Sequence, residues 1–163
     1  MKPIRSTLQP DNGARFSMCR VYRYALWRFW DRSLPFGMFI GLNPSTADET
    51  NNDPTVRRCI RFVRDWGFGG LIMTNAFAIR ATDPRVMLAH EDPIGPNNDY
   101  WLKRIADEAG IVIAAWGIHG SHRDRDKAIL SMLDGKVRHL GLTKAGNPRH
   151  PLYLRADTKP TRY

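Results

Sequence analysis

Residues 39–59, FIGLNPSTADETNNDPTVRRC, contain the change from strand to helix that decides the fold. The apolar run of residues 37–42 stops at Asn43, which is typical of a buried strand that ends in a turn. Asp53 is a favourable N-cap, and Pro54 suits the first helical position because its missing N–H would be unpaired there. A strand that leads through a polar loop to a helix N-terminus is a usual ligand-binding place in α/β proteins. The same pattern also fits a plain strand–turn–helix connection without any chemistry.

The remainder of the chain alternates predicted strands with predicted helices. Apolar runs predict further strands at residues 71–77, 111–116 and 137–142. Amphipathic spacing and capping residues predict helices after Asp53, from Asn97 or Asn98 to Ala109, and after Arg125. Strands that alternate with helices are typical of a parallel sheet with right-handed crossovers. We therefore predict one α/β domain over residues 1–163, a three-layer sandwich around a central, mainly parallel sheet of four to five strands.

The N-terminal region is predicted to add an antiparallel hairpin to this sheet. Residues 1–13 are polar and contain two prolines, so we expect a loose arm there. Residues 14–30 alternate arginines with aromatic side chains, a composition that favours strands. Such a segment can stack on nucleobases, or it can form an edge strand that covers the core, which is the interpretation we favour.

The charge balance indicates a polyanionic partner. The chain has 25 Lys and Arg against 16 Asp and Glu, a formal net charge of +9. This excess favours DNA, RNA or a nucleotide as partner, although a basic protein can also simply be soluble. Basic side chains on the polar side of the helix after Asp53 and in the C-terminal tail are the candidates for nucleic-acid contacts: Arg57, Arg58, Arg61, Lys144 and Arg149.

Several other classes of protein are disfavoured. No apolar run is long enough to cross a bilayer and the N-terminus lacks a signal-peptide pattern, so we expect a cytoplasmic protein without a membrane partner. His119 and His122 have no third ligand at a suitable spacing, and the glycine-rich phosphate-binding motifs are missing. We therefore expect neither a metal nor a cofactor. The sequence does not indicate an oligomeric state.

Polar residues follow the predicted strands at several places in the chain. Because parallel strands place their carboxyl ends at one edge of a sheet, these residues should approach one crevice. They are Asn43, Asp48, Glu49 and Asp53 from one loop, Thr74, Asn75 and Arg80 from the next, and residues 116–122 and 144–150, the last of which is His150. Each also has a simpler explanation, since an asparagine can bond its own loop or end a strand, and a tail histidine can be exposed.

Four long motifs occur in order along the chain. They are LNPSTAD at residues 42–48, NAFAIRATDP at 75–84, AAWG at 114–117, and GLTKAGNPRHPLYL at 141–154. Through them the chain resembles domain-of-unknown-function family 1643 (DUF1643) over nearly its full length. That resemblance by itself implies no activity.

The same order of motifs is distantly similar to that of the uracil-DNA glycosylase superfamily. Gly41-Leu42-Asn43-Pro44 is similar to its first motif, in the form in which an asparagine holds the attacking water. Residues 74–77 are similar to the strand-end asparagine segment that reads the base, and residues 112–117 occupy the place of the next strand. His150-Pro151 looks like the closing motif that stabilises the departing base, although Asn147-Pro148 could also align there.

The resemblance implies a uracil-DNA-glycosylase-like fold and hydrolysis of N-glycosidic bonds. Asn43, or Asp48 if its loop folds back, would hold the attacking water. His150 would donate a hydrogen bond to the negative charge that develops on the base. The implied substrate-binding residues are Asn75 for the base edge, Phe77 as the stacking aromatic, and Pro44, Ser45 and Arg80. Two other classes of function stay open: a catalytically inert nucleic-acid-binding module, and an enzyme whose small phosphorylated metabolite is held at the start of the helix after Asp53.

Overall fold

A seven-stranded sheet and five helices make up the computed structural model, which describes residues 1–163. The strands are β1 (Asn12–Phe16), β2 (Arg23–Phe29), β3 (Gly37–Gly41), β4 (Gly70–Asn75), β5 (Ile111–Ala114), β6 (Val137–His139) and β7 (Thr161–Arg162). The helices are α1 (Ile4–Thr7), α2 (Pro54–Asp65), α3 (Pro84–Ala89), α4 (Asn98–Ala106) and α5 (Arg125–Met132). Two 3₁₀ segments, Ile118–Asp124 and Pro151–Tyr153, complete the regular structure. No helix has the length and apolar character needed to span a membrane.

The sheet is mixed, with the strand order β1-β2-β4-β3-β5-β6-β7. The four adjacent strands β4, β3, β5 and β6 pair in parallel, whereas β1, β2 and β7 join by antiparallel pairing. The α/β class is thus confirmed, but the sheet has seven strands, not the predicted four to five, and it is not mainly parallel. One of the strands that the sequence does not predict is β7, which consists of two exposed residues and has no apolar pattern.

Two apolar clusters cover the two faces of the sheet. On one face α2 contributes Val56, Cys59, Phe62 and Val63, which pack with Phe39 of β3. On the other face the larger cluster combines Met38 and Ile40 of β3 with apolar side chains of α3, α4 and α5. Side chains that alternate along β3 therefore enter different clusters, as expected for a central strand buried on both sides.

The N-terminal segment packs against the domain, so the prediction of a loose arm over residues 1–13 is wrong. Ile4 and Leu8 are both buried. The backbone N–H of Ile4 donates to Glu108 Oε1 at 2.7 Å, and Arg32 donates to the backbone carbonyl of Leu8 at 2.8 Å. Two apolar side chains and a few polar contacts are enough to hold a stretch whose composition alone indicates a tail.

The arginine-rich hairpin has one edge strand and one interior strand. β1 lies at the edge of the sheet, and β2 lies between β1 and β4. All seven residues of β2 are buried, including Arg23 and Arg28. The predicted hairpin is confirmed, and its edge-strand interpretation holds for β1 alone.

The strand–loop–helix connection places the candidate site. Gly41 at the end of β3 pairs with Asn75 at the end of β4, because the two strands are parallel and in register. Asp53 caps α2, and its Oδ1 accepts a hydrogen bond from the Val56 N–H at 2.8 Å. The ends of β3 and β4 and the first turn of α2 thereby meet at one edge of the sheet.

Candidate functional site

A cavity of about 250 Å³ lies at this edge of the sheet, beside the carboxyl ends of β3 and β4. Five residues that the sequence predicts for the site line it: Asn43, Pro44, Ser45, Asn75 and His150. Further lining residues come from β2, from the first turn of α2 and from the loop after β4, among them Arg23, Asp53, Thr55 and Thr82. Segments far apart in the chain therefore converge on one small space.

Asn75 forms the inner wall of the cavity and is 3 % exposed. Its side-chain Nδ2 is buried and has no hydrogen-bond partner, which is unusual for a polar atom inside a protein. Its main chain is held from behind, because Asn98 Nδ2 donates to the Asn75 carbonyl at 3.0 Å and to the Ala76 carbonyl at 3.1 Å. Arg125 Nε adds a bond to the Ala76 carbonyl at 2.7 Å. The backbone is thus fixed, while the amide donor has no partner in the protein.

Asn43 has a structural role on one side of its amide. Its Nδ2 donates to the Ala81 carbonyl at 2.8 Å and to the Pro44 carbonyl at 3.2 Å, which ties the loop after β3 to the loop after β4. Its Oδ1 accepts no hydrogen bond from the protein. A water or a ligand hydroxyl can donate to that oxygen, since a carboxamide oxygen has two lone pairs.

His150 lies at the rim of the cavity with part of its surface exposed, and its ring has a defined tautomer. Its Nδ1 accepts the Leu152 N–H at 3.2 Å, so the proton of the neutral ring is on Nε2. Burial lowers the pKa of His150 below its ordinary value, and the charge of Asp53 acts in the opposite direction. The neutral ring is therefore favoured, with Nε2–H as a free donor.

Arg23 and Asp53 bring charge to the cavity wall; the sequence predicts Asp53 at this edge of the sheet, whereas it does not predict Arg23 there. Arg23 is 2 % exposed, and its Nη1 donates to the Ala47 carbonyl at 2.8 Å. Burial lowers the pKa of its guanidinium to about 10, and the charge of Asp53 opposes this. Arg23 is still a cation at neutral pH. The available signal was an arginine at the start of a strand that is otherwise mostly apolar.

A comparison with protein families matches residues 23–152 to the family described as "Protein of unknown function (DUF1643)". The chain belongs to the DUF1643 family. Comparisons with curated proteins and with solved structures returned no match. The matched span begins at Arg23 and extends past His150, so it contains every residue that lines the cavity.

Three predicted site residues of this DUF1643 protein lie outside the cavity lining. Asp48 closes its own loop, because its Oδ1 accepts the Asn51 N–H at 2.8 Å, and such backbone bonds lower its pKa to about 2. Phe77 is fully buried in the core. Arg80 donates to the Arg20 carbonyl at 3.3 Å, and its guanidinium lies 4.7 Å from the centre of the Phe16 ring. The structure brings none of these three side chains to the cavity.

The predicted nucleic-acid-binding residues differ in how free they are. Arg57, Arg61, Lys144 and Arg149 are exposed. Arg58 is half-buried, donates to the Leu154 carbonyl and lies 4.9 Å from the centre of the Phe62 ring. Arg58 thus attaches α2 to the C-terminal segment. Of the other four, Arg57 donates to the Asn52 carbonyl at 2.7 Å and Arg149 to the Leu142 carbonyl at 3.3 Å, whereas Arg61 and Lys144 make no side-chain hydrogen bond.

Proposed function

We propose that this DUF1643 protein binds one nucleobase of a nucleic acid in the cavity and hydrolyses its N-glycosidic bond. The observation that carries the proposal is the convergence of Asn43, Asn75 and His150 on one space. The cavity of about 250 Å³ is smaller than the range of about 300–1,000 Å³ typical of small-molecule pockets. That size suits a single heterocycle better than a larger metabolite.

Asn75 is suited to reading the edge of a base. Its unpartnered Nδ2 can donate to a base carbonyl, and its Oδ1 can accept a ring N–H. An extruded base presents such an edge once its own partner is gone. The buried amide donor has no hydrogen bond in the free protein and would gain one when a matching base binds. That gain would increase the affinity for the base.

His150 and Asn43 are suited to the bond-breaking step. The C–N glycosidic bond breaks with its electron pair moving to the base, a water oxygen bonds to the sugar carbon, and the water's proton goes to solvent or to the base. Nε2–H of His150 can donate to a base oxygen on which negative charge builds, in the manner of an oxyanion-stabilising donor. Asn43 Oδ1 can orient the attacking water.

The exposed basic residues support nucleic acid as the partner. The net charge is +9, and Arg57 and Arg61 are exposed on α2, whose first turn lines the cavity. Positive side chains beside a base-sized cavity would hold the phosphate backbone while one base enters.

The experiment is the release of free base from single-stranded oligonucleotides that carry uracil or hypoxanthine. Single strands remove the cost of extruding a base from a duplex. We expect release by the wild type and a loss of about 10²–10³-fold in the His150→Ala variant, the usual effect of removing one charge-stabilising donor. Arg155→Ala is the matched control, because Arg155 is exposed and pairs only with Asp157. Oligonucleotide binding without any base release would instead identify an inert binding module.

A further inference from the structure

Three arginines of this chain are buried, and two of them have no buried nitrogen without a hydrogen-bond partner. Arg28 makes five hydrogen bonds, four to backbone carbonyls and one to Asn52 Oδ1. Arg125 donates to the Ala76 carbonyl and forms an ion pair with Asp99 at 2.6 Å. In these two residues the fold satisfies the buried guanidinium with either several carbonyls or a carboxylate, as the cost of burying a charge requires.

Arg23 is the exception among the three. It is 2 % exposed and makes one side-chain hydrogen bond, from Nη1 to the Ala47 carbonyl. Its Nε is buried without a partner, and it takes part in none of the ion pairs of the structure. It is also the only one of the three that lines the cavity. A guanidinium has five donors in a planar fork that matches the oxygens of a phosphate, so most of its binding capacity is unused here.

A second feature of the same wall favours negative charge. Thr55 and Val56, in the first turn of the 12-residue helix α2, line the cavity beside Arg23. The N-terminus of a helix carries a partial positive charge and N–H groups without intrahelical partners. Asp53 caps the helix from the same wall and adds one negative charge. The wall as a whole therefore suits a ligand with a single negative charge better than a dianion.

We propose that Arg23 and the first turn of α2 form a subsite for the oxyanion of a phosphodiester, the linkage next to the nucleotide whose base meets Asn75. This inference rests on the proposed function, because the base and the phosphate belong to one ligand. A phosphodiester has one negative charge, and it is the form of phosphate found within a nucleic-acid strand. The subsite would distinguish a strand from a free nucleobase or nucleoside.

The test compares two ligands that differ only in charge: the dinucleoside monophosphate UpU and its methylphosphonate analogue, whose linkage is neutral. Calorimetry with the wild-type protein should show UpU binding about 10- to 100-fold more tightly, the range expected for a charge-assisted hydrogen bond. In Arg23→Gln at least nine-tenths of the difference should disappear, and UpU should bind nearly as the neutral analogue binds to the wild type, since only the first turn of α2 still favours the charge. Arg23→Lys should keep part of the difference, since it retains the charge without the planar fork.

The salt dependence of binding by the wild-type protein distinguishes a phosphate contact at the buried subsite from a contact with exposed arginines. A buried charge pair is screened far less than an exposed one, so the preference for UpU should persist in the wild type at 0.5 M salt, where the Debye length is roughly 4 Å. Loss of the preference at that salt concentration, or its survival in Arg23→Gln, would place the contact on surface arginines and overturn the inference. Uridine 5′-monophosphate binding more tightly than UpU would also overturn it, in favour of a free nucleotide.

The same binding measurements distinguish failure of the phosphate subsite from failure of the proposed nucleobase pocket. If UpU and its analogue bind equally well and uridine also binds, the base pocket stands and the phosphate subsite is refuted. If none of the three binds, the nucleobase pocket itself is refuted, and the subsite with it.

Discussion

The carboxamide of Asn75 lies against Gly41 of the neighbouring strand. A β-carbon built at position 41 would come within 3.0 Å of Asn75 Oδ1, closer than such contacts normally are. The two residues are paired in the parallel register of β3 and β4, so their relative position is fixed by the sheet. The absence of a side chain at position 41 therefore sets where the amide stands in the cavity.

Replacing Gly41 with alanine should displace the Asn75 amide by a few tenths of an ångström. We expect uracil binding to weaken about 3- to 10-fold, because hydrogen-bond strength falls steeply with poor geometry. The measurement is calorimetric affinity in a double-mutant cycle with Asn75→Ala. In the Asn75→Ala background the Gly41→Ala change should have little effect on affinity. An equal effect in both backgrounds would mean that Gly41 acts through something other than the amide.

Much of the arrangement follows from local sequence signals. The sequence predicts the end of β3 near Gly41, the N-cap at Asp53 and the helix that follows it. The structure confirms all three. Parallel pairing then brings Asn43 and Asn75 together, since both follow neighbouring strands. The topology also predicts His150 at this edge, because the tail follows the last predicted strand, and only its role on the base comes from the resemblance of its motif.

Other features depend on contacts that no local pattern encodes. Arg23 looks like a surface residue of a hairpin until the position of β2 inside the sheet is known. Phe77 continues the apolar strand pattern, and only tertiary packing decides that its ring enters the core and not the cavity. Arg58 shares its helix face with free arginines, but its contact with Leu154 lies 96 residues away in the chain.

Asn75→Asp should change which base is accepted. The variant replaces the amide donor with a second acceptor, so a base that offers a carbonyl at that position loses a hydrogen bond and meets a negative charge. We expect uracil affinity to fall at least about tenfold, with cytosine, which offers an amino donor, falling less. Competition calorimetry with the two free bases measures the ratio. An unchanged ratio would exclude Asn75 from base recognition.

The stability of the protein should depend on pH through His150. Because burial lowers the pKa of His150 in the folded state, the unfolded chain binds more protons between the two pKa values. This contribution to stability is present above the ordinary histidine pKa of about 6.5 and is lost as the pH falls below it. Between pH 7.5 and 5 the wild type should therefore lose more thermal stability than His150→Gln. Parallel curves for the two proteins would contradict the argument.

Arg57 and Arg61, two of the three exposed arginines of α2, should contribute strongly to the salt dependence of nucleic-acid binding. For single strands the log–log slope is roughly −0.7 per phosphate contact, so Arg57→Ala with Arg61→Ala should reduce its magnitude by about 1 to 2. Fluorescence anisotropy with a labelled oligonucleotide between 50 and 300 mM salt gives the slope. The pair should leave the melting temperature nearly unchanged, whereas Arg58→Ala should lower it, because Arg58 contacts Leu154 and Phe62. A slope near zero in the wild type would argue for a small metabolite instead.

Asp53 has two roles that substitution can separate. Its Oδ1 caps α2 through the Val56 N–H, and its charge raises the pKa of His150 against the larger effect of burial. Asp53→Ala removes both roles and should cost about 0.5–2 kcal/mol of stability, the usual cost of losing an N-cap. Asp53→Asn keeps a capping side chain, so its stability should stay near that of the wild type while the pKa of His150 falls further. Proton NMR titration of the His150 ring and urea unfolding measure the two quantities, with Asp65→Asn at the other end of α2 as the charge control. A His150 pKa that moves equally in Asp53→Asn and Asp65→Asn would show that general charge, and not the carboxylate on the cavity wall, sets the proton affinity of the ring.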